Sequence, residues 1–312
     1  MSATRALTVR ADRPRGFFKT LAPRFAAAAA ACGVWATAGA GDLSPNTSNG
    51  YNLPPGVTEL SRAIYDLHME AFWICVGIAI VVFGAMIYTL VKFRHSQGAV
   101  ADTGMLHSTK VEIAWTIVPV IILVVMAIPA AELILKMEDM RNSDLSIRVT
   151  GYQWKWAYEY LGSGVTVLSS LDRASDHARQ LQSGIDPATV PNYLLSVDHP
   201  LVVPAGVKVR LLITGQDVIH SWWVPALAIK KDAIPGFVNE AWFDIDADKT
   251  GIYRGQCAEL CGRDHGFMPI VIDVRSKDDF EQWLHAQRTA AGATAPPGST
   301  ASLAAASSVS VN

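Results

Sequence analysis

Apolar and polar positions alternate along this chain in more than one rhythm. Residues 71–91, AFWICVGIAIVVFGAMIYTLV, hold no charge. At a helical rise of 1.5 Å per residue they extend about 31 Å, the thickness of a bilayer's hydrocarbon core. Residues 113–131, IAWTIVPVIILVVMAIPAA, are equally uncharged, with Glu112 and Glu132 at the margins and Leu133 to Leu135 prolonging the apolar stretch. The pair predicts a two-helix transmembrane hairpin over 71–135, longer than a buried core hairpin requires. Pro119 and Pro129 fit a membrane helix that packs against neighbours, with a local bend at each.

From about residue 143 the rhythm shortens to that of strands. Leu145–Thr150 alternates, as does Val207 to Ile213, and the apolar run Ile270–Val274 follows Met268-Pro269. Short strands between Gly and Pro turns predict an antiparallel β-sandwich over 143–275. Residues 161–199 fit this scheme poorly; Ser175–Gln182 reads as a short helix inside a long excursion. Ser276 is placed to cap a helix through residue 290, with Asp278, Asp279 and Glu281 near its N-terminus. The remainder, 291–312, is mostly Ala, Ser, Thr, Gly and Pro and is expected to be disordered.

Charge adds direction. Residues 1–40 carry six Lys or Arg against Asp12 alone, then an apolar run from Phe25 to Val34 and the small residues Ala38-Gly39-Ala40. This reads as a signal peptide, and Cys32 is expected to leave with it, although Ala-Ala-Ala-Cys loosely resembles a lipoprotein cleavage site. Removing the leader takes the formal charge from −2 down by 5, to −7. Lys92, Arg94 and Lys110 lie between the spans, while the external segment 41–70 offers only Arg62, so the connecting loop is expected on the cytoplasmic side and both termini outside. Of the remaining cysteines, Cys75 is read as a buried bystander.

Chemistry concentrates in residues 257–268, Cys-Ala-Glu-Leu-Cys-Gly-Arg-Asp-His-Gly-Phe-Met. Two thiols, an imidazole and a thioether fall there, and a second imidazole, His220, stands upstream. Thiolate and thioether suit copper, and a weak methionine beside cysteine and histidine is typical of electron-transfer copper. One thiolate exceeds the needs of a single blue-copper ion; two cysteines four apart on one loop can bridge two ions. Three other readings compete. The spacing also fits an amphipathic helix, although Gly255, Gly262, Gly266 and Pro269 favour a loop. Cys257 and Cys261 could form a disulfide, or join two histidines around zinc. Gly151–Tyr160 adds five aromatics in ten residues, the pattern of an interfacial belt or a core, with an electron route as the sharper alternative.

Together the two spans, Gly-Tyr-Gln-Trp-Lys-Trp at 151–156, Asp-Val-Ile-His-Ser-Trp at 217–222, Asp-Ala-Ile-Pro-Gly at 232–236 and the Cys-Ala-Glu-Leu-Cys box resemble subunit II of the haem-copper cytochrome c oxidases, bacterial type, from about residue 60 to 285. The resemblance implies a cupredoxin-like sandwich on a membrane hairpin in a bacterial plasma membrane. It implies that His220, Cys257, Cys261, His265, Met268 and the backbone carbonyl of Glu259 hold a dinuclear copper (CuA) centre. It further implies that the Glu259 carboxylate binds magnesium at the contact with subunit I, that electrons arrive at Trp154, and that Glu112 lies near the mouth of a proton pathway. Glu159 and Asp217 resemble docking carboxylates. Ala258 and Lys155 depart from the usual pattern, and neither supplies a copper ligand.

The implied function is to accept electrons from cytochrome c and pass them to haem in subunit I, for oxygen reduction and proton pumping. Subunits I and III, cytochrome c and membrane lipid are the expected partners, and no nucleic acid. Residues 136–286 hold 15 Lys or Arg against 20 Asp or Glu, net −5, a surface that steers a basic donor. No Cys-x-x-Cys-His occurs, so no fused c-type haem is expected. A quinol oxidase subunit would lack the copper ligands. A membrane-anchored copper- or zinc-binding protein without turnover would not need Trp154 or Glu112.

Overall fold

A computed structural model describes residues 52–54, 56–100, 104, 107–290 and 292. The expected signal peptide 1–40, Cys32 and, apart from Gly292, the expected disordered tail fall outside these residues.

Two long helices come first, α1 (Glu59–Lys92) and α2 (Thr109–Met137). Thr58 and Ser61 form a reciprocal capping box at the start of α1, with Glu59 in its first turn and Lys92 in its last, each charge matched to its end of the helix dipole. At the start of α2, Glu112 reaches back to accept from the Ser108 backbone N–H at 3.2 Å. Each helix holds a long stretch that is apolar all round, and none of the most apolar 18-residue window of either is buried. Such surface requires lipid or another apolar chain. The two spans sit where hydropathy placed them, but both helices run further. α1 begins at Glu59, inside the segment read as external, because Arg62, Asp66, His68 and Glu70 make that part polar without breaking the helix. Cys75, expected to be buried, is exposed on α1.

Ten strands follow: β1 (Leu145–Tyr152), β2 (Lys155–Tyr160), β3 (Val165–Ser169), β4 (Leu201–Pro204), β5 (Lys208–Gly215), β6 (His220–Val224), β7 (Ile229–Ala233), β8 (Asn239–Asp244), β9 (Gly251–Cys257) and β10 (Pro269–Arg275). They make two five-stranded sheets, ordered β3-β2-β1-β5-β8 and β4-β10-β9-β6-β7. Alternation is clean in β5, whose Val209, Leu211 and Ile213 face inward, and the opposing layer supplies Ile270, Ile272, Trp222 and Val224, so the core lies between the sheets. The sandwich is therefore as expected, with one difference: β1 pairs β5 and β10 pairs β4 in parallel. Alternation fixes which face of a strand is buried and says nothing about its direction.

The parallel pair decides which loops become neighbours. β1 and β5 run to the same end of the sandwich and finish together, Gly151 opposite Gly215. The turn after β1 and the segment joining β5 to β6 therefore emerge side by side. At the other end the chain meets the helices. Val57 and Thr58 are buried there, Asp246 N–H reaches the Val57 carbonyl, and Arg62 pairs with Asp246 at 2.7 Å. A short helix, α3 (Arg173–Ala178), occupies the excursion after β3, two residues earlier than its periodicity indicated. The last helix, α4 (Lys277–Ala290), starts behind Ser276, whose hydroxyl accepts from the Asp279 N–H at 3.1 Å.

Candidate metal centre

Cys257 ends β9, and the ladder between β9 and β10 resumes only at Gln256 and Pro269. Everything between is loop, closed by a single 3-10 turn at His265–Phe267. The helical reading of the 4-4-3 spacing does not hold, because Gly262 sits at φ +117°, outside helical geometry. That loop folds its donors inward. Cys261 Sγ lies 3.8 Å from Cys257 Sγ, 3.6 Å from His265 Nδ1 and 3.4 Å from Met268 Sδ. The carbonyl oxygen of Glu259 approaches Cys257 Sγ at 3.3 Å, while the Glu259 side chain is exposed. Cys257, Cys261 and Met268 are buried, and both cysteines are free thiols.

His220 arrives from the other direction, as the first residue of β6. It is fully buried, and one ring nitrogen lies within 4.8 Å of both thiol sulfurs. Nε2 is occupied by the Asp217 carboxylate at 2.9 Å, whereas buried Nδ1 has no hydrogen-bond partner. A buried polar atom without a partner costs about 1–3 kcal/mol, and a metal ion at the thiols would satisfy it. The donor set of two thiols, two imidazoles, a thioether and a carbonyl fits copper better than zinc, since thioether is a soft donor that structural zinc does not use.

Several side chains outside this set hold it in place. Asp217 fixes the His220 ring and also accepts from the Gln153 backbone N–H at 2.8 Å. Burial raises the Asp217 carboxyl, but hydrogen bonds from His220 and the Gln153 and Val218 N–H groups outweigh it and hold the group below its ordinary value. Trp156, buried, meets the His220 ring edge-on at 5.9 Å and its Nε1 donates to the Met268 carbonyl at 3.4 Å. Gly151 lies so close to His220 that an added Cβ would come within 2.8 Å of its ring. Trp156 was legible only as core, and no sequence signal marked Gly151 as a neighbour of His220.

Of the aromatic run, Trp156, Tyr158 and Tyr160 alternate into the core of β2, as the plainer reading holds. Trp154 differs: it is partly buried, and its Nε1 donates to the Cys261 carbonyl at 3.2 Å, beside Gln153 Nε2 at 2.9 Å. Glu112 is in the first turn of α2, at the end of the hairpin away from the β domain, with about 38 Å of helix between it and Met137. Glu159 is paired with Arg148 at 2.8 Å.

Electrostatics separates the two thiols. Burial raises both. At Cys257 it is outweighed by the His220 imidazole and by backbone groups of Ser221 and Glu259, leaving the thiol lowered to about 7. At Cys261 the charge of Cys257 adds to burial and pushes the thiol up to about 12. Burial lowers the His220 imidazolium, and its contacts with Cys257 and Asp217 more than offset this and raise it. A metal bound by both thiolates must displace the protons still present. Below pH 7 both thiols release one; above it only Cys261 does, and His220 changes in the same sense. Proton release on metal loading of the apo chain, followed with an indicator in weak buffer, is therefore expected to fall as pH rises through about 7. A release independent of pH between 6 and 8 would contradict this division of roles.

Known proteins carry the same two-part organisation. The family described as "Cytochrome C oxidase subunit II, periplasmic domain" matches residues 145–275, and that described as "Cytochrome C oxidase subunit II, transmembrane domain" matches residues 46–133. The chain is 37% identical over 230 residues to the probable cytochrome c oxidase subunit 2 of Rickettsia bellii, covering 74% of this chain and 81% of that one. It is 33% identical over 250 residues to cytochrome c oxidase subunit 2 of Cereibacter sphaeroides, covering 77% and 80%. Among solved structures it is similar to the periplasmic domain of subunit II of cytochrome oxidase from Bradyrhizobium japonicum, at 40% identity and TM-score 0.40, covering 47% of this chain and 96% of that one.

Proposed function

Because this chain belongs to the cytochrome c oxidase subunit II family, we propose that it receives electrons from cytochrome c for a proton-pumping oxidase through a dinuclear copper centre. The ligands would be His220, Cys257, Cys261, His265, Met268 and the Glu259 carbonyl. When bound, the copper pair supplies a one-electron store shared over two ions. The observation that carries the reading is the unpartnered Nδ1 of fully buried His220 beside two thiols, one of them 3.4 Å from a thioether.

The rest of the chain supports that task. Trp154 stands between the surface and Cys261, joined to it by a hydrogen bond, which gives electrons arriving from a docked donor a short covalent and hydrogen-bonded path. Asp217 keeps His220 in the tautomer that leaves Nδ1 free for metal. Burial of the thiols excludes water and competing oxidants. Electrons then leave for haem in subunit I, whose other neighbour would be subunit III. The exposed Glu259 carboxylate would supply one oxygen ligand for magnesium at the subunit I contact, with water and the partner supplying the rest. Lys92, Arg94 and Lys110 support a cytoplasmic connecting loop, which would put the β domain on the outer side of a bacterial plasma membrane and Glu112 on the inner side, near the mouth of a proton pathway. The net −5 over residues 136–286 steers a basic cytochrome c in a salt-dependent way.

Copper stoichiometry with electron paramagnetic resonance of the purified chain tests this. Two coppers sharing one unpaired electron, reducible by cytochrome c, is the expected result. Zinc, or one copper with a mononuclear spectrum, would instead identify a membrane-anchored metal-binding protein without turnover.

A further inference from the structure

The excursion between β3 and β4 returns to the metal centre through one side chain. We infer that Arg179, just beyond α3, is a positioning residue that holds the His265–Met268 turn in its ligand-presenting shape; this rests on the copper reading above. Its Cζ lies 4.4 Å from the ring centroid of Phe267, and its Nη1 lies 3.6 Å from the Asp264 carboxylate. Those two residues bracket the 3-10 turn, whose backbone closes with Phe267 N–H on the Asp264 carbonyl at 2.9 Å. His265 lies inside the bracket and Met268 directly follows it. A planar guanidinium that stacks on one flank and pairs with the other fixes both at once, which a point charge on a flexible stem does not.

The arginine is itself fixed. Its Nε donates to Asp176 at 2.7 Å, one turn back, which orients the guanidinium plane. Arg179 is 23% exposed and Asp264 14%, so the pair is shielded better than an ordinary surface ion pair. Arg263 also reaches Asp264, at 3.2 Å, but is 81% exposed and lies on the loop it would have to brace. The platform beneath Arg179 is anchored as well. Asp172 caps α3, and buried Ser175 accepts from the Leu194 N–H at 3.1 Å. Arg254 of β9, three residues before Cys257, donates to the Leu195 carbonyl and lies 3.4 Å from Ser196 Oγ. The excursion is thus tied to the strand that delivers Cys257 and, through Arg179, to the turn that delivers His265 and Met268. It spans the two halves of the ligand set.

The test compares full-length wild type with Arg179→Met, Arg179→Lys, Phe267→Leu and, as a control on the exposed side of α3, Arg173→Met. Readouts are the rate of copper extraction by a chelator, the copper hyperfine pattern in paramagnetic resonance, and Tm. Residues that orient metal ligands typically change metal affinity about 10–100-fold when removed. Arg179→Met is expected to speed extraction by about 10-fold and to alter the hyperfine pattern. Arg179→Lys, which keeps the charge and loses the planar stack, should fall between it and wild type, and Arg173→Met should match wild type. Extraction and spectrum unchanged in Arg179→Met overturn the inference, as does faster extraction with lower Tm and an unaltered spectrum, which is a structural role only. Should Arg179→Met fail to accumulate, Arg179→Lys and Phe267→Leu carry the same comparison. Wild type lacking a copper pair would sink the functional reading itself, a separate result from equality of the variants.

Discussion

Cys261→Ser is expected to abolish the copper pair and, with it, reduction by cytochrome c. Cys261 is the hub of the donor set: its sulfur lies 3.8 Å from Cys257, 3.6 Å from His265 and 3.4 Å from Met268. Serine offers a smaller, harder donor that stays protonated, so the bridge that would join two ions is lost. Changes one layer out typically cost about 10–100-fold in metal affinity; loss of the central ligand should exceed about 100-fold, leaving at most one ion per chain. The backbone need not move, because the contacts of Gln153 and Trp154 are to the Cys261 carbonyl, which serine retains. Tm of the apo chain should therefore stay close to wild type while copper content and electron uptake collapse. A variant that still binds two coppers would remove Cys261 from the site.

How much of this was open to a reader of the sequence depends on chain distance. The donors at 257–268 lie on one loop, so residue type and spacing announce their chemistry, and the glycines around them exclude a helix. His220 was found because it is a lone imidazole within a recognisable motif. What supports these ligands comes from elsewhere in the chain. Gly151, Trp156 and Arg179 precede Cys257 by dozens of residues and reach the site only because β1 runs parallel to β5 and the excursion folds back, both set by packing rather than by local pattern. Asp217 carries a similar lesson. It resembles a docking carboxylate, yet its oxygens are engaged by His220 and by the Gln153 and Val218 N–H groups. Hydropathy, in turn, located the spans and not the helix ends, since nothing in a transfer scale distinguishes a polar helical turn from a polar loop.

Gly151→Ala is expected to damage the metal centre as well as the fold. The position is buried, and no left-handed backbone is involved, so only space is at issue. A methyl there would meet His220 Cδ2 at 2.8 Å, Cγ at 3.0 Å and Cβ at 3.1 Å. The ring has little freedom to retreat: Trp156 stands on it at 5.9 Å between centroids, and Asp217 grips Nε2 at 2.9 Å. Nor can the strand slide, because Gly151 is paired with Trp156 in β2 and Gly215 in β5, and its carbonyl accepts from Gln216 N–H at 2.9 Å. Overpacking of this kind costs about 1–3 kcal/mol, a Tm loss of roughly 2–12 °C for a domain this size. The His220 nitrogen is displaced by the same clash, so copper affinity should fall by about 10–100-fold, a loss of about 1.4–2.8 kcal/mol that falls on the metal centre in addition to the fold. Gly266→Ala separates the explanations. It lies beside His265 in sequence, but an added carbon there meets nothing within 4 Å. If both alanines weaken copper binding equally, glycine flexibility near the ligands is the cause; if only Gly151→Ala does, the cause is the space that His220 occupies.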